Sequence, residues 1–300
     1  EAYAESHARL TASAPFGQAV AEYMDKRTDL RESILSSYRY TLERTFSPLD
    51  EKILSQISTS DFENILKDKG SSAHRMHLRN LGAFWRWAVK NPRRWALTDI
   101  VDSLEAPRVS VDADINILKA NEVEDLMRSA ETTGKAAAAA FAIAIFAGVR
   151  MAELERLTWK NVGSKEIEIG ASIAKKHLRR LIPINPTLKS WLDACRSDFK
   201  DGDLIVPSNW KEVSKAVRRR AGWDVSARTL RNPPEPTKGT WPANSPRHTC
   251  ASVLVAMGTP LESLIFQFGH SGGYDLLRRH YVSRLSQEDA EGILGIFPAS

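Results

Sequence analysis

Along the first third of the chain, apolar side chains recur at three- and four-residue spacing, the period of amphipathic helices: Phe16, Val20, Tyr23 and Met24, then Leu35, Tyr38 and Leu42. No alternating strand pattern interrupts residues 15–95. A turn at 46–50, the Ser58, Thr59, Ser60, Asp61 cluster capping a helix before Phe62, and the Gly-Ser-Ser turn at 70–72 divide this stretch into about four helices. The last, over 73–89, sets the apolar Leu78, Leu81, Phe84, Trp85 and Trp87 beside His74, Arg75, His77, Arg79, Arg86 and Lys90, which predicts one core face and one cationic face. A polar connector without period, containing Pro107, runs over 105–114 and marks a domain boundary. Beyond it, Asn121 is placed to cap a helix through Met127. The alanine-rich run 136–147 has no polar face and reads as a buried central helix ended by Gly148. Two short β-branched runs, 167–169 and 181–184, flank the basic segment Lys175, Lys176, His177, Arg179, Arg180, the pattern of a small sheet with a charged hairpin. Helical patterns resume over 188–196, 210–220, 248–257, 261–266 and 290–297.

With 300 residues, 42% of them hydrophobic, the chain can bury two cores. The formal net charge of +5 favours a polyanionic partner without identifying it. Cys195 and Cys250 have neither metal-ligand spacing nor the look of a disulfide framework, which fits a reducing compartment. The longest apolar stretch, 136–149, is too short to cross a bilayer, and no signal-peptide order opens the chain, so a cytoplasmic protein with no membrane partner is expected. The sequence starts at Glu1 rather than methionine, which leaves a further N-terminal domain open.

Cutting a phosphodiester without a metal calls for a nucleophile, fixed cations on the non-bridging oxygens and an acid for the leaving oxygen. Gly148-Val149-Arg150-Met151-Ala152-Glu153-Leu154, with Leu157-Thr158-Trp159 behind it, resembles the first motif of the tyrosine recombinases of the phage-integrase type. Pro246-Arg247-His248-Thr249-Cys250-Ala251 resembles their His-x-x-Arg-His-Thr motif, with Asn244 where the family has its first histidine. Phe268-Gly269-His270-Ser271 resembles the Leu-Gly-His-Ser element, and Tyr281 follows at about the distance of the family's nucleophile. The order of these motifs within one domain, behind a basic helical one, carries the resemblance.

The resemblance implies a mainly α fold. It comprises a helical core-binding domain over 1–107, a linker over 108–116, and a catalytic domain over 117–300 that is mostly helical with a small antiparallel sheet. It further implies a DNA strand transferase needing no cofactor. Tyr281 would attack the scissile phosphate, with Tyr274 a weaker competitor. Arg150, Arg247 and His270 would hold its oxygens, Glu153 would orient the site, and Lys175 or its neighbour Lys176 would protonate the leaving oxygen. Asn244 either hydrogen-bonds a phosphate oxygen, since an amide cannot act as base, or caps the helix that follows. Arg75, Arg79, Arg86, Lys90, Lys176 and Arg179 are the expected DNA contacts. Double-stranded DNA is the expected partner, bound in a C-shaped clamp and acted on by a homo-tetramer that is a monomer or dimer in solution. The segment 290–297 would be exchanged between neighbours, and the setting would be a bacterial or phage-derived, nucleoid-associated one. A type IB topoisomerase, a DNA-binding relative with impaired catalysis, and a helical interaction protein without nucleic acid are the rival readings.

Overall fold

A computed structural model describes residues 13–28, 30–90, 93–107, 116–174, 179–225, 230–269 and 285–299. The chain divides into two compact units, Glu1–Ala113 and Asp114–Ser300, each with its own core. No helix among the described residues is long and apolar enough to cross a membrane.

In the first unit, α1 (Phe16–Asp25), α2 (Glu32–Arg39), α3 (Thr59–Leu66) and α4 (Ser71–Val89) supply the frame. The core they enclose is strongly aromatic: Phe16, Tyr23, Phe46, Phe62, Phe84 and Trp85 are fully buried. Their rings meet edge to face, with Phe16–Phe84 centroids 5.3 Å apart at 71° and Phe62–Trp85 5.3 Å apart at 86°, the geometry favoured by the ring quadrupole. The start of α3 is set where the Ser-Thr-Ser-Asp cluster predicts it: the Ser58 N–H donates to the Asp61 carboxylate at 2.8 Å.

One expectation for α4 is corrected. His77 belongs to the core and not to the cationic face, because α2 runs on into a π-helical turn, Tyr40–Thr45, that offers it partners. The imidazole Nδ1 lies 3.1 Å from the Thr41 hydroxyl, and the ring stacks on Tyr40 at 5.6 Å. Asn80 joins them by donating to Thr41 Oγ1 at 3.0 Å and Ser37 Oγ at 2.9 Å. Burial, with Lys69 and His74 adding like charge, pushes the His77 pKa below its ordinary value, so it carries no charge for a phosphate at neutral pH.

The second unit is built around α6 (Lys135–Phe146), which has no exposed residue from Ala137 to Phe146. Around it pack α5 (Ala120–Thr133), α8 (Pro186–Arg196), α9 (Trp210–Arg220) and α10 (Ser245–Ala256). Alanine permits this, since a one-carbon side chain keeps helix propensity high and lets neighbouring backbones approach. The sheet has two antiparallel strands, β1 (Glu166–Ile169) and β2 (Arg180–Pro183), in a register that pairs Ile167 with Ile182 and Ile169 with Arg180. The short α7 (Met151–Leu154), then α11 (Leu261–Phe268) and α12 (Gln287–Leu294), complete the unit.

One further detail differs from the sequence reading. Helix α5 starts at Ala120, ahead of the expected cap Asn121, because the Glu122 carboxylate accepts the Lys119 N–H at 2.8 Å and closes the turn earlier. In the single chain the segment 290–297 is docked on its own unit. Ala290, Ile293 and Ile296 are buried in this core, Trp191 Nε1 donates to the Ile296 carbonyl at 2.8 Å, and Arg128 donates to that of Phe297 at 2.9 Å.

Candidate active site

Helix α6 ends at Gly148, whose φ of +63° turns the chain sharply into α7. Only glycine fits there, for the angle is unfavourable to any side chain and a Cβ would lie 2.6 Å from the Phe268 ring. The turn delivers Arg150 to the N-cap of α7, its side chain 28% exposed. Arg247 comes from the first turn of α10, beside Pro246, and is buried. Arg150, Asn244 and Arg247 line one pocket of about 390 Å³, floored by Phe141, Val149 and Trp210.

The guanidinium groups are held by main-chain carbonyls. Arg150 Nη2 donates to Gly269 O at 3.0 Å, while Arg247 donates to Gly148 O and Phe268 O and lies 4.6 Å from the Phe268 ring centroid. Glu153, fully buried, accepts from the Arg150 backbone N–H and from Nη1, both at 3.2 Å. Burial by itself would raise its pKa, but the hydrogen bonds and charge of Arg180, with those of Arg150, outweigh it and hold the carboxyl below the usual range. Glu153 is therefore an ionised brace. Thr249, of the same motif as Arg247, serves packing: its hydroxyl accepts the Leu118 N–H at 2.8 Å.

Asn244 sits at the N-cap position of α10 in a left-handed conformation, φ +59°, and its side chain makes no capping bond. The capping alternative is thus not realised, and the exposed amide lines the pocket instead. Lys175, Lys176, His270 and Tyr281, and the competing Tyr274, lie outside the described residues. Arg179 is exposed and pairs with Glu168 at 2.9 Å. In the first unit Arg75, Arg79 and Arg86 line one groove on the outer face of α4, with Asp99 3.9 Å from Arg86, whereas Lys90 stands exposed beyond the helix end. Among the described residues no group of His, Cys, Asp or Glu is arranged to hold a metal ion.

Sequence reasoning passed over two features of this region. Lys211, Lys215 and Arg218 share the pocket with Arg150 and Arg247, and their i, i+4, i+7 spacing on α9 is the signal that could have found them. Arg180 belongs to the charged-hairpin pattern of the sequence, yet it is buried against Glu153, at 2.6 Å. Strand alternation separates it from Arg179: in β2 the residues 180 and 182 face inward while 181 and 183 face out.

No curated protein matches the sequence. Among solved structures, a lambda integrase dimer bound to a COC′ core site superposes with a TM-score of 0.69 at 16% identity, covering 89% of this chain and 95% of that one. A lambda integrase tetramer bound to a Holliday junction gives 0.70 at 16% identity, covering 91% and 79%. The Tn1549 transposon integrase in complex with circular intermediate DNA gives 0.65 at 15% identity, covering 93% and 98%. At such identities the likeness establishes the fold, mostly helical with a small antiparallel sheet. The model of the phage integrase family matches residues 116–286, over half of the chain and the whole span from Arg150 to Tyr281, and the chain therefore belongs to that family, the tyrosine recombinases.

Proposed function

We propose that the protein is a site-specific DNA recombinase that cleaves and rejoins duplex DNA through a 3′-phosphotyrosyl intermediate, without metal or ATP. The observation that carries this reading is the meeting of Arg150 and Arg247, from separate helices, at one pocket with Asn244. Guanidinium suits a phosphodiester because its planar fork spans two phosphate oxygens and keeps its proton at any working pH. Tyr281 attacks the scissile phosphate and releases a 5′-hydroxyl. Arg150, Arg247 and His270 stabilise the charge that builds on the phosphorane, and Asn244 adds a neutral hydrogen bond. Lys175, or Lys176 beside it, gives its proton to the leaving oxygen. The phosphotyrosyl bond keeps the energy of the broken phosphodiester, so a hydroxyl from a partner strand reverses the attack. The groove of Arg75, Arg79 and Arg86 tracks backbone phosphates, and the active assembly is a tetramer on DNA, as lambda integrase forms on a Holliday junction.

The test is a suicide duplex, nicked close to the target phosphate and drawn from the DNA flanking the gene. The native chain should form an adduct that survives denaturation, and Tyr281→Phe should abolish it while binding persists. Adduct retained in that variant would move the nucleophile to Tyr274 or elsewhere. Asn244 itself favours a second reading, a DNA-binding relative with impaired catalysis, which predicts salt-dependent binding and no adduct from the native chain.

A further inference from the structure

Three successive carbonyls at the C-terminal end of α11 are each held by a different arginine. Gln267 O accepts from Arg180 Nε at 2.9 Å, Phe268 O from Arg247, and Gly269 O from Arg150 Nη2 at 3.0 Å. The last carbonyls of a helix lack partners within it, and its dipole makes that end attractive to cations, so the clamp is favourable on both counts. Two of these arginines belong to the proposed phosphate site. Arg180, on β2, does not line the pocket.

Arg180 is nonetheless the node of the network. Its Nη1 and Nη2 donate to Glu153 Oε1 and Oε2 at 3.2 and 2.6 Å, a two-pronged bond in which neither side chain is more than 7% exposed. The same carboxylate grips Arg150 through backbone and side chain. We infer that Arg180 is a positioning residue for strand cleavage. It orients the Glu153 carboxylate that aims Arg150, and with its third bond it fixes the end of α11, whose next residues in the chain are Gly269 and His270. Lysine could keep the charge but not the planar fork, so it could not make these three bonds at once.

This inference rests on the proposed function, and two readouts keep the two separable. In the first, Arg180→Lys is compared with the native chain on the suicide duplex at saturating enzyme. The first-order cleavage rate should fall about 10- to 100-fold, by analogy with the loss of groups that orient a metal's ligands, with duplex affinity within about twofold. A merely structural Arg180 would lower the melting temperature and leave that rate unchanged below the transition, which would overturn the inference. The second readout needs no DNA. Phenylglyoxal labelling of Arg150, followed by peptide mass spectrometry, should speed up several-fold in Arg180→Lys, and an unchanged labelling rate would overturn the inference even where the native chain forms no adduct. Should Arg180→Lys fail to fold, Arg180→Met combined with Glu153→Gln removes both buried charges together, and the same two measurements against the native chain carry the same expected and overturning results.

Discussion

Replacing Gly148 by alanine tests how tightly the turn between α6 and Arg150 is specified. Two costs add. A side chain in the left-handed region loses about 1–2 kcal/mol relative to glycine. The new methyl carbon would also stand 2.6 Å from Cε1 and 2.9 Å from Cζ of Phe268, and 3.2 Å from Cys250 Sγ, well inside ordinary carbon contact. Phe268 is 1% exposed, so relief requires moving a packed ring, for which overfilled cores lose about 1–3 kcal/mol. Alanine's smaller unfolded-state entropy returns about 0.4–1 kcal/mol. The net loss is about 1–4.6 kcal/mol, which for a unit of this size, at about 2–4 °C per kcal/mol, lowers the melting temperature by roughly 2–18 °C. Differential scanning calorimetry reads the shift directly. In a Phe268→Leu background the same Gly148→Ala change should cost less, because the steric part is relieved and the backbone part remains. The ring that must move lies under the Arg247 guanidinium, at 4.6 Å, so the cleavage rate should drop even well below the transition. A melting temperature within about 2 °C of the native value would show that the turn tolerates a side chain and that the reasoning is wrong.

Three other outcomes follow from the structure. Arg75→Ala with Arg79→Ala should flatten the plot of log affinity against log salt by about 1.8, near 0.9 per phosphate contact, in fluorescence anisotropy on duplex DNA; an unaltered slope would remove that groove from the interface. The Lys52 ammonium, the first of several causes, holds the Asp61 carboxyl down at about 2, so its contribution to stability is complete above the ordinary carboxylate range and is lost as pH falls through 2. Asp61→Asn should therefore flatten the acid limb between about pH 4 and 2 in a circular-dichroism titration, and an identical limb would count against the pairing. Asn244→His should preserve or raise the cleavage rate, because histidine tolerates the left-handed backbone and can also take a proton; a large loss on the suicide duplex would show that position 244 does not face the phosphate.

Periodicity made the long elements legible, since α4, α6 and α9 bury the faces that their apolar spacing marks. It also held information that composition obscured. His77, Leu81, Phe84 and Ala88 stand at helical intervals on one buried stripe of α4, yet a histidine among arginines reads as a cation until Thr41 and Tyr40 are seen to partner it. Arg180 is the same lesson in a strand: its parity with Ile182 places it inside, whereas its neighbours in the sequence suggest a solvated run. The π-helical turn after α2 has no marker in residue pattern, because its extra residue is accommodated by tertiary contacts. Nor could spacing reveal that Arg150, Arg180 and Arg247 meet at successive carbonyls of α11, a matter of how three segments distant in the chain are packed.

The buried stretch of α6 bears on which sequence changes this protein can survive. Ten adjoining positions, Ala137 to Phe146, are buried, and apart from Phe141 and Ala144, which line the pocket, a mutation there has nowhere to place added atoms except into a neighbouring element. The helix leads through the Gly148 turn to Arg150, so a shift of its last turn would move the backbone that carries the guanidinium. Evolutionary drift, and any directed-evolution library, should therefore find its narrowest passage in these plain alanines, which have no chemistry of their own.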